Sequence, residues 1–184
     1  MKTKKDLKST YLTFGNWSSK IVDFLKNTSG DYLEIGSYWG VLIAEIGIDF
    51  PNKQLYSIDP FISDGWTGQI RGTNLSDIED VFQHNIKDLN ITHFKSTSKE
   101  FLDRGDFSQI SNVSCMLIDG SHHYEDILAD IEIFKRIDNN YAKYLVFDDL
   151  HIPDVAAAVN YFRETFKDRV SSEREPGQFK LDEM

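Results

Sequence analysis

The stretch YLEIGSYWG at residues 32–40 joins a short apolar run to a pair of glycines. Its first four residues predict a buried strand, and a helix is predicted from Trp39 to Phe50, where Pro51 follows. Gly36 at the junction permits a tight turn and lets a ligand approach the backbone. A helix that begins there points its free N–H groups toward such a ligand. Alone, the glycine pair fits a packing turn as well as a nucleotide-like site.

Short apolar runs alternate with helical patterns on both sides of this stretch. Helices are predicted at Trp17–Lys26, Leu75–Ile86, Lys99–Leu102 and His122–Ile137, and from Val155 onward. Strands are predicted at 54–58, 91–94, 113–118 and 144–147, with short edge strands at 169–174 and 178–181. This alternation indicates parallel strands joined by crossover helices. We therefore predict an α/β fold with a doubly wound, mostly parallel, seven-stranded sheet and a shortened C-terminal end.

The chain has 184 residues, which fits one domain, and it contains no repeat or Pro/Gly/Ser-rich linker that would divide it. We expect 1–184 to form a single unit. Within it, 1–28 is a tail and covering helix, 30–165 is the catalytic core, and 168–184 forms the short edge strands.

The formal net charge of −10 argues against a nucleic acid or an anionic membrane as partner. Both bind to a positively charged surface on a protein. No apolar stretch approaches the length needed to span a bilayer. The basic residues near the start are interrupted by Asp6 and precede no long apolar run, so we expect no signal peptide. The single cysteine, Cys115, lies in an apolar run, which indicates a core residue and agrees with a cytoplasmic protein.

Glycine or carboxylates follow four of the predicted strands. Gly36 follows the first strand, Asp59 the second, Asp119 the fourth, and Asp148 and Asp149 the fifth. Ligands of open α/β sheets bind outside the carboxyl ends of the strands. Asp59 at the end of strand two can accept hydrogen bonds from both hydroxyls of a ribose, although a residue that starts a loop before proline explains it too. Together, these strand ends predict a nucleoside-binding edge rich in carboxylates.

The motifs resemble those of class I S-adenosylmethionine-dependent methyltransferases, which implies a Rossmann-like fold. The form E-x-G-x-Y-x-G at residues 34–40 resembles the metal-dependent O-methyltransferases of the catechol and macrolide-sugar types. Other segments that carry the resemblance are Ser57–Phe61, Lys95–Glu100, Ile118–Glu125, Phe147–Asp149 and Pro153–Val159. The similarity covers about residues 30–165. It implies a cofactor site formed by Glu34, Gly36, Ser37, Tyr38, Gly40, Asp59, Ser98 and Asp119.

The acidic residues after strands four and five suit a metal ion. Asp119, Asp148 and Asp149 offer oxygen ligands of the kind that magnesium prefers. Without a cation, three close carboxylates would repel one another and force one to protonate. A bound Mg²⁺ or similar ion would lower the pKa of a substrate hydroxyl. With Asp119, His122 is the predicted catalytic residue, because its imidazole at the predicted helix start can act as general base.

Two neighbouring histidines are weaker candidates. His123 points away from His122 and is expected to be a surface or packing residue. His151 follows Asp149 by two residues. Its side chain could reach the substrate or the metal, or it could cap the next helix, and both interpretations are equally good.

The acceptor is the least defined part of the site. The segment 61–74 contains Trp66 and Arg71 among three glycines, which fits a lid over the substrate or an ordinary surface loop. We expect a small-molecule acceptor such as a sugar.

The chain has few residues left to form elements that cover a substrate, so we also consider a homo-oligomer in which a partner chain completes the site. Three other functions remain as alternatives: an N-methyltransferase, a cofactor-binding module without activity, and a metal-dependent hydrolase.

Overall fold

A computed structural model describes residues 2–8, 17–62, 75–137 and 144–182. The helices are α1 (Trp17–Lys26), α2 (Val41–Asp49), α3 (Leu75–Ile86), α4 (Ser98–Arg104), α5 (Tyr124–Ile137) and α6 (Pro153–Thr165), with 3-10 turns at Lys4–Asp6 and Asp106–Gln109. The strands are β1 (Asp31–Ile35), β2 (Leu55–Ile58), β3 (Ile91–Phe94), β4 (Val113–Ile118), β5 (Tyr144–Phe147), β6 (Val170–Glu173) and β7 (Gln178–Leu181). The predicted lid segment lies outside the described residues from position 63 onward.

The strands form one sheet with the order β3-β2-β1-β4-β5-β7-β6. The strands from β1 to β5 are parallel, while β7 runs antiparallel to both β5 and β6. The predicted α/β class, the mostly parallel seven-stranded sheet and the edge hairpin are therefore confirmed. The strand order reverses between β1 and β4, which is where ligands bind in open α/β sheets.

The side chains of each central strand alternate between two cores, as the pleat of a strand requires. Leu33 and Ile35 of β1 pack with residues of α4, α5 and α6 on one face of the sheet. Tyr32 packs with residues of α1, α2 and α3 on the other face, and so does the fully buried Cys115 of β4. The predicted core position of this cysteine is confirmed. Within the described ranges, no helix is long and apolar enough to cross a membrane.

Helix α2 begins at Val41, two residues later than the sequence pattern predicts. Tyr38 and Gly40 both have positive φ, at 48° and 67°, so the turn after β1 continues past Trp39. A left-handed backbone cannot belong to a right-handed helix. Gly40 is therefore the N-cap of α2, the last residue before the helix begins.

Helix α4 is longer than predicted because both of its ends are well capped. The Thr97 side chain accepts a hydrogen bond from the Glu100 N–H (3.2 Å), and the Glu100 carboxylate accepts one from the Thr97 N–H (2.8 Å). This capping box starts the helix at Ser98. Gly105, with a φ of 71°, ends it after Arg104.

Aromatic packing around Phe162 holds α6 against the sheet and against α5. Phe162 is fully buried, and its ring lies 4.6 to 5.7 Å, centre to centre, from the rings of Phe134, Phe147, Phe166 and Phe179. Such pairs stabilise a core beyond the area that they bury.

Phe162→Ala should therefore lower the free energy of unfolding by about 3–5 kcal/mol, because it leaves a cavity among four rings. Tyr161→Ala is the matched control, since the neighbouring Tyr161 is 41% exposed. That change should stay within about 1 kcal/mol. Urea denaturation of the three proteins measures both values, and equal losses in the two variants would contradict the packing described here.

Candidate active site

The turn after β1 passes very close to the loop after β4. Gly36 has a φ of 84°, and a Cβ atom at this position would lie 2.0 Å from the carbonyl oxygen of Asp119 and 2.5 Å from Cα of Gly120. No side chain can occupy that space. The backbone is anchored on both sides, because the Gly36 N–H donates to the carbonyl of Ile58 and the Asp119 N–H donates to that of Ile35, each at 2.9 Å.

Asp59 organises the same turn from the end of β2. One carboxylate oxygen accepts from the N–H of Tyr38 and the other from the N–H of Phe61, both at 2.7 Å. Burial raises the pKa of Asp59, and these backbone hydrogen bonds act in the opposite direction. The Ser37 N–H also donates to this carboxylate, so about one of its roughly four lone-pair sites remains for a ligand's hydroxyl.

A cavity of about 360 Å³ lies over the carboxyl ends of β1, β2 and β4 and beside the β3–α4 loop. Of the predicted cofactor residues, five line it: Gly36, Tyr38, Asp59, Ser98 and Asp119. Apolar side chains, including Ile58, Phe61 and Ala129, line it as well. A mostly apolar cavity with a few converging polar groups is typical of a small-molecule site.

The other three predicted cofactor residues do not line the cavity: Glu34 lies beneath the turn, and Ser37 and Gly40 are the two ends of the turn. Glu34 is buried and accepts from the Tyr32 hydroxyl at 2.8 Å and from the hydroxyl of Ser37. The Ser37 hydroxyl also lies 2.7 Å from that of Ser57. Burial raises the pKa of Glu34 to about 7. The third residue, Gly40, starts α2. These positions suit residues that hold the turn in shape.

Asp119, His122 and Asp149 converge next to the cavity. Each offers one ligand atom, and these atoms all lie within 4.8 Å of one another. His122 Nε2 lies 2.8 Å from a carboxylate oxygen of Asp149. Asp148, predicted as the third metal ligand, is not in this group of three; its carboxylate accepts from the Asp149 N–H at 2.7 Å. Asp148 lines the same small cleft as these three residues, and its charge acts on Asp119.

The position of His122 follows from the late start of α5 at Tyr124. The Ser121 hydroxyl accepts from the His123 N–H at 3.2 Å and donates to the Asp126 carboxylate at 2.8 Å. These bonds shape a turn before the helix, so that His122 belongs to the loop and not to the helix. His123 is exposed and lines the large cavity.

The carboxylates of this group repel one another. Burial raises the pKa of Asp119 well above its usual range, and the charges of Asp148 and Asp149 raise it further. A cation among these oxygens would remove that repulsion. Carboxylate oxygens suit magnesium and manganese, while an imidazole also suits softer ions. The donor set of Asp119, His122 and Asp149 therefore fits a divalent metal ion.

Several residues of the cavity were not singled out from the sequence. They are Ser96, Thr97, Lys99, Ser121, Asp126 and Asp130. Asp130 carried a usable signal, because it is a carboxylate next to the apolar stripe of α5. His151, a weaker candidate, is 76% exposed at its side chain, and its Nδ1 lies 3.6 Å from the Asp149 carboxylate.

Solved structures with this fold include several O-methyltransferases. The O-methyltransferase NovP superposes with a TM-score of 0.68 at 17% identity, over 92% of this chain and 78% of NovP. CalS11, a TDP-rhamnose 3'-O-methyltransferase of calicheamicin biosynthesis, gives 0.61 at 14% identity, over 90% and 77%. The mycinamycin-pathway methyltransferase MycE, solved with Mg, SAH and mycinamycin VI, gives 0.61 at 14% identity, over 94% and 50%.

No protein-family model matches the sequence, and no curated protein matches it either. At these sequence identities the structural likeness concerns the fold. The chain has the Rossmann-like fold of S-adenosylmethionine-dependent methyltransferases. Among the solved structures that share this fold are the O-methyltransferases NovP, CalS11 and MycE.

Gly36→Ala should destabilise the protein strongly, because the new Cβ would collide with backbone atoms of the β4 loop. We expect a loss of about 3 kcal/mol or more in the free energy of unfolding. Gly105→Ala is the control: its φ of 71° is similar, but nothing lies within 4 Å of the added Cβ. In this control, only the strain of alanine in a left-handed backbone lowers the free energy of unfolding, by about 1–2 kcal/mol. Equal losses in urea denaturation would contradict the close approach.

Glu34→Gln should flatten the dependence of stability on pH. The folded-state pKa of about 7 lies above the ordinary 4.5, so the folded chain holds this proton more tightly than the unfolded chain does. The free energy of unfolding therefore falls as pH rises from 4.5 to 7, with roughly 3 kcal/mol attributable to this group. Urea titrations between pH 4.5 and 7 should show that this pH-dependent part of the free energy of unfolding is missing in the variant.

Glu132→Gln serves as its control. Hydrogen bonds from Lys135 and Arg136 lower the pKa of Glu132, so its contribution has the opposite sign and is lost only below its ordinary 4.5. If both variants changed the slope between pH 4.5 and 7 equally, burial of Glu34 would not be the cause.

Proposed function

We propose that this protein is an S-adenosylmethionine-dependent O-methyltransferase that uses a divalent metal ion. One observation carries the proposal: Asp119 lines both the large cavity and the small cleft that contains His122, Asp148 and Asp149. Methyl transfer to oxygen needs the methyl donor and the acceptor oxygen side by side. A cofactor cavity that shares a residue with a metal-compatible group meets that need.

The cofactor side is assigned to the cavity. A volume of about 360 Å³ is of the size that small-molecule sites have. Asp59 would accept a hydrogen bond from a ribose hydroxyl with the acceptor capacity that its three backbone donors leave open. Gly36 would let the cofactor lie against the backbone. When bound, S-adenosylmethionine supplies a methyl group that its positive sulfur already makes electrophilic.

The acceptor side is assigned to the acidic group: the carboxylates of Asp119 and Asp149 would hold the metal ion, with Asp148 close by, and His122 stands beside them. When bound, such an ion lowers the pKa of a coordinated hydroxyl toward neutrality. Carboxylate oxygens suit both magnesium and manganese, so either ion should support activity.

His122 would remove the proton of the acceptor hydroxyl. The Asp149 carboxylate beside Nε2 can only accept a hydrogen bond when ionised, so Nε2 carries the hydrogen and Nδ1 keeps a lone pair. Nδ1 is then the atom that takes the proton. Asp149 orients the ring and stabilises the imidazolium that results, as a carboxylate does for a catalytic histidine elsewhere.

The acceptor class is inferred from the structural neighbours. CalS11 is named for TDP-rhamnose, and MycE was solved with mycinamycin VI. We propose a hydroxyl on a sugar-containing or other small molecule. The net charge of −10 disfavours DNA as the substrate of a rival N-methyltransferase. A binding module without activity would have no use for a base beside a metal-compatible group, and a hydrolase would not need a nucleoside cavity.

Methyl transfer to a panel of sugar-containing acceptors tests the proposal. Wild type should lose activity with EDTA and regain it with Mg²⁺ or Mn²⁺. Asp119→Asn should abolish the metal-dependent activity, and His122→Ala should lower kcat by about 10²- to 10⁴-fold. Asp103→Asn is the control, because Asp103 is exposed on α4 and does not line the cavity.

Each outcome separates one part of the proposal. Unchanged activity and metal dependence in Asp119→Asn would refute the metal mechanism. Tight binding of S-adenosylhomocysteine without turnover on any acceptor would favour the binding module. A wild type that does not bind S-adenosylhomocysteine in calorimetry would refute the assignment of the cavity.

A further inference from the structure

Three polar side chains lie next to one another on one face of the sheet. Glu34 of β1 is paired in register with Ser57 of β2, and Ser57 is paired with His93 of β3. Residues directly opposite each other on neighbouring strands project from the same face. This face also carries the apolar core formed with α1, α2 and α3. Polar side chains in such surroundings are stable only with hydrogen-bond partners.

Hydrogen bonds connect these side chains from β3 to β1. His93 Nδ1 lies 3.1 Å from the hydroxyl oxygen of Ser57, which lies 2.7 Å from that of Ser37. The Ser37 hydroxyl in turn donates to Glu34. These four residues form a polar row. Ser57 is fully buried, and neither it nor His93 is among the described residues that line the large cavity. The row therefore reaches the turn after β1 from behind the cavity.

The number of available hydrogens decides the direction of the row. Burial lowers the pKa of His93 to about 4, so above neutral pH its ring is uncharged and has one N–H. When Glu34 is ionised, Ser37 donates to the carboxylate and Ser57 donates to Ser37. The contact between Ser57 and His93 then takes its hydrogen from Nδ1 of the ring. Nε2 is buried and has no hydrogen-bond partner in the described part of the chain.

Ser37, which the row holds, is the first residue of the turn at 37–40. Its carbonyl accepts from the Gly40 N–H at 2.7 Å, and its own N–H donates to the Asp59 carboxylate. A shift of Ser37 would therefore move both the turn and a donor that orients Asp59. Through the row, this residue is fixed to β2 and β3 as well as to β1.

The ring of His93 also packs against two aromatic residues beside the turn. Its centre lies 4.6 Å from that of the Phe82 ring and 5.1 Å from that of the Phe61 ring. Phe82 lies close to Gly40, where an added Cβ would be 2.6 Å from its ring, and the Phe61 N–H donates to Asp59. One polar and one aromatic contact of His93 thus lead to the same turn, and variants can separate them.

We propose that His93 is a positioning residue for the turn at 37–40, because its Nδ1–H completes the polar row that holds Ser37 and thereby orients Asp59. His93 acts through Ser57 and Ser37 and would not touch a ligand itself. Its effect on cofactor affinity rests on the proposed function, whereas its effect on the turn does not.

Two variants of His93 separate the hydrogen bond from the aromatic packing. His93→Phe keeps a ring beside Phe61 and Phe82 but removes the donor. His93→Asn removes the ring, and its amide nitrogen can take the place of Nδ1. In calorimetry with S-adenosylhomocysteine, His93→Phe should bind about three- to tenfold more weakly than wild type, the effect of one hydrogen bond. His93→Asn should bind more tightly than His93→Phe. The reverse order would show that packing matters instead and would overturn the inference.

Ser57→Ala breaks the polar row at its next member and should weaken binding at least as much as His93→Phe. Combining the two changes should cost little further affinity, because the row is already broken. Additive losses would overturn the inference, and this comparison decides it if His93→Asn does not fold. Thr92→Val is the matched control: Thr92 precedes His93 on β3, but its hydroxyl accepts from Gln54 at 3.1 Å. It should keep wild-type affinity.

Two measurements need no ligand. At pH 9, where Glu34 is mostly ionised, ¹⁵N NMR of wild type should find the ring hydrogen of His93 on Nδ1. The backbone amides of Ser37 and Tyr38 should exchange their hydrogens several-fold faster in His93→Phe than in wild type, while Thr92→Val should leave these rates unchanged. A ring hydrogen on Nε2, or equal exchange rates in His93→Phe and wild type, would overturn the inference.

These outcomes distinguish the inference from the proposed function. If wild type failed to bind S-adenosylhomocysteine, the proposed function would be overturned, and the exchange rates would still decide whether His93 positions the turn. If wild type bound it and His93→Phe bound it equally well, the role of His93 would be overturned and the cofactor site would stand.

Discussion

The contact between the turn after β1 and the loop after β4 is the constraint on which the rest of the site depends. Gly36 approaches the Asp119 carbonyl so closely that only a hydrogen atom fits between them. This approach occurs at the point where the strand order reverses. It brings the floor of the cavity and the acidic group to a common border at Asp119. A side chain at position 36 would separate them, and the chemistry that we propose needs them together.

Around this contact the protein concentrates carboxylates that oppose its own stability. Burial raises the pKa values of Glu34, Asp59, Asp119 and Asp130, and the charges of Asp148 and Asp149 add to the repulsion at Asp119. Functional sites commonly hold titratable groups in such states. Glu34 supports the turn through its hydrogen bonds, whereas Asp59, Asp119 and Asp130 line the cavity, where a ligand would meet them under the proposed function.

Most of the fold was predictable because its signals are local. Apolar runs and helical stripes depend on neighbouring residues, and α1, α3, β3, β4 and β5 begin and end where the patterns predict. The helix starts were less predictable. The left-handed residues Tyr38 and Gly40 delay α2, and the bonds of Ser121 delay α5. A side chain that hydrogen-bonds to nearby backbone competes with helix formation. The spacing of apolar residues along the sequence gives no sign of that competition.

The sequence by itself determined the α/β class and the edge of the sheet at which the site lies, because the carboxylates come directly after buried strands. Only the tertiary structure decided which side chains converge there. It brings His122 to the carboxylates of Asp119 and Asp149, buries Glu34 beneath the turn, and brings Asp130 to the cavity. The physical reason is distance along the chain. Where a strand ends is encoded by adjacent residues, whereas the direction of a side chain in a loop depends on contacts with elements far away in sequence.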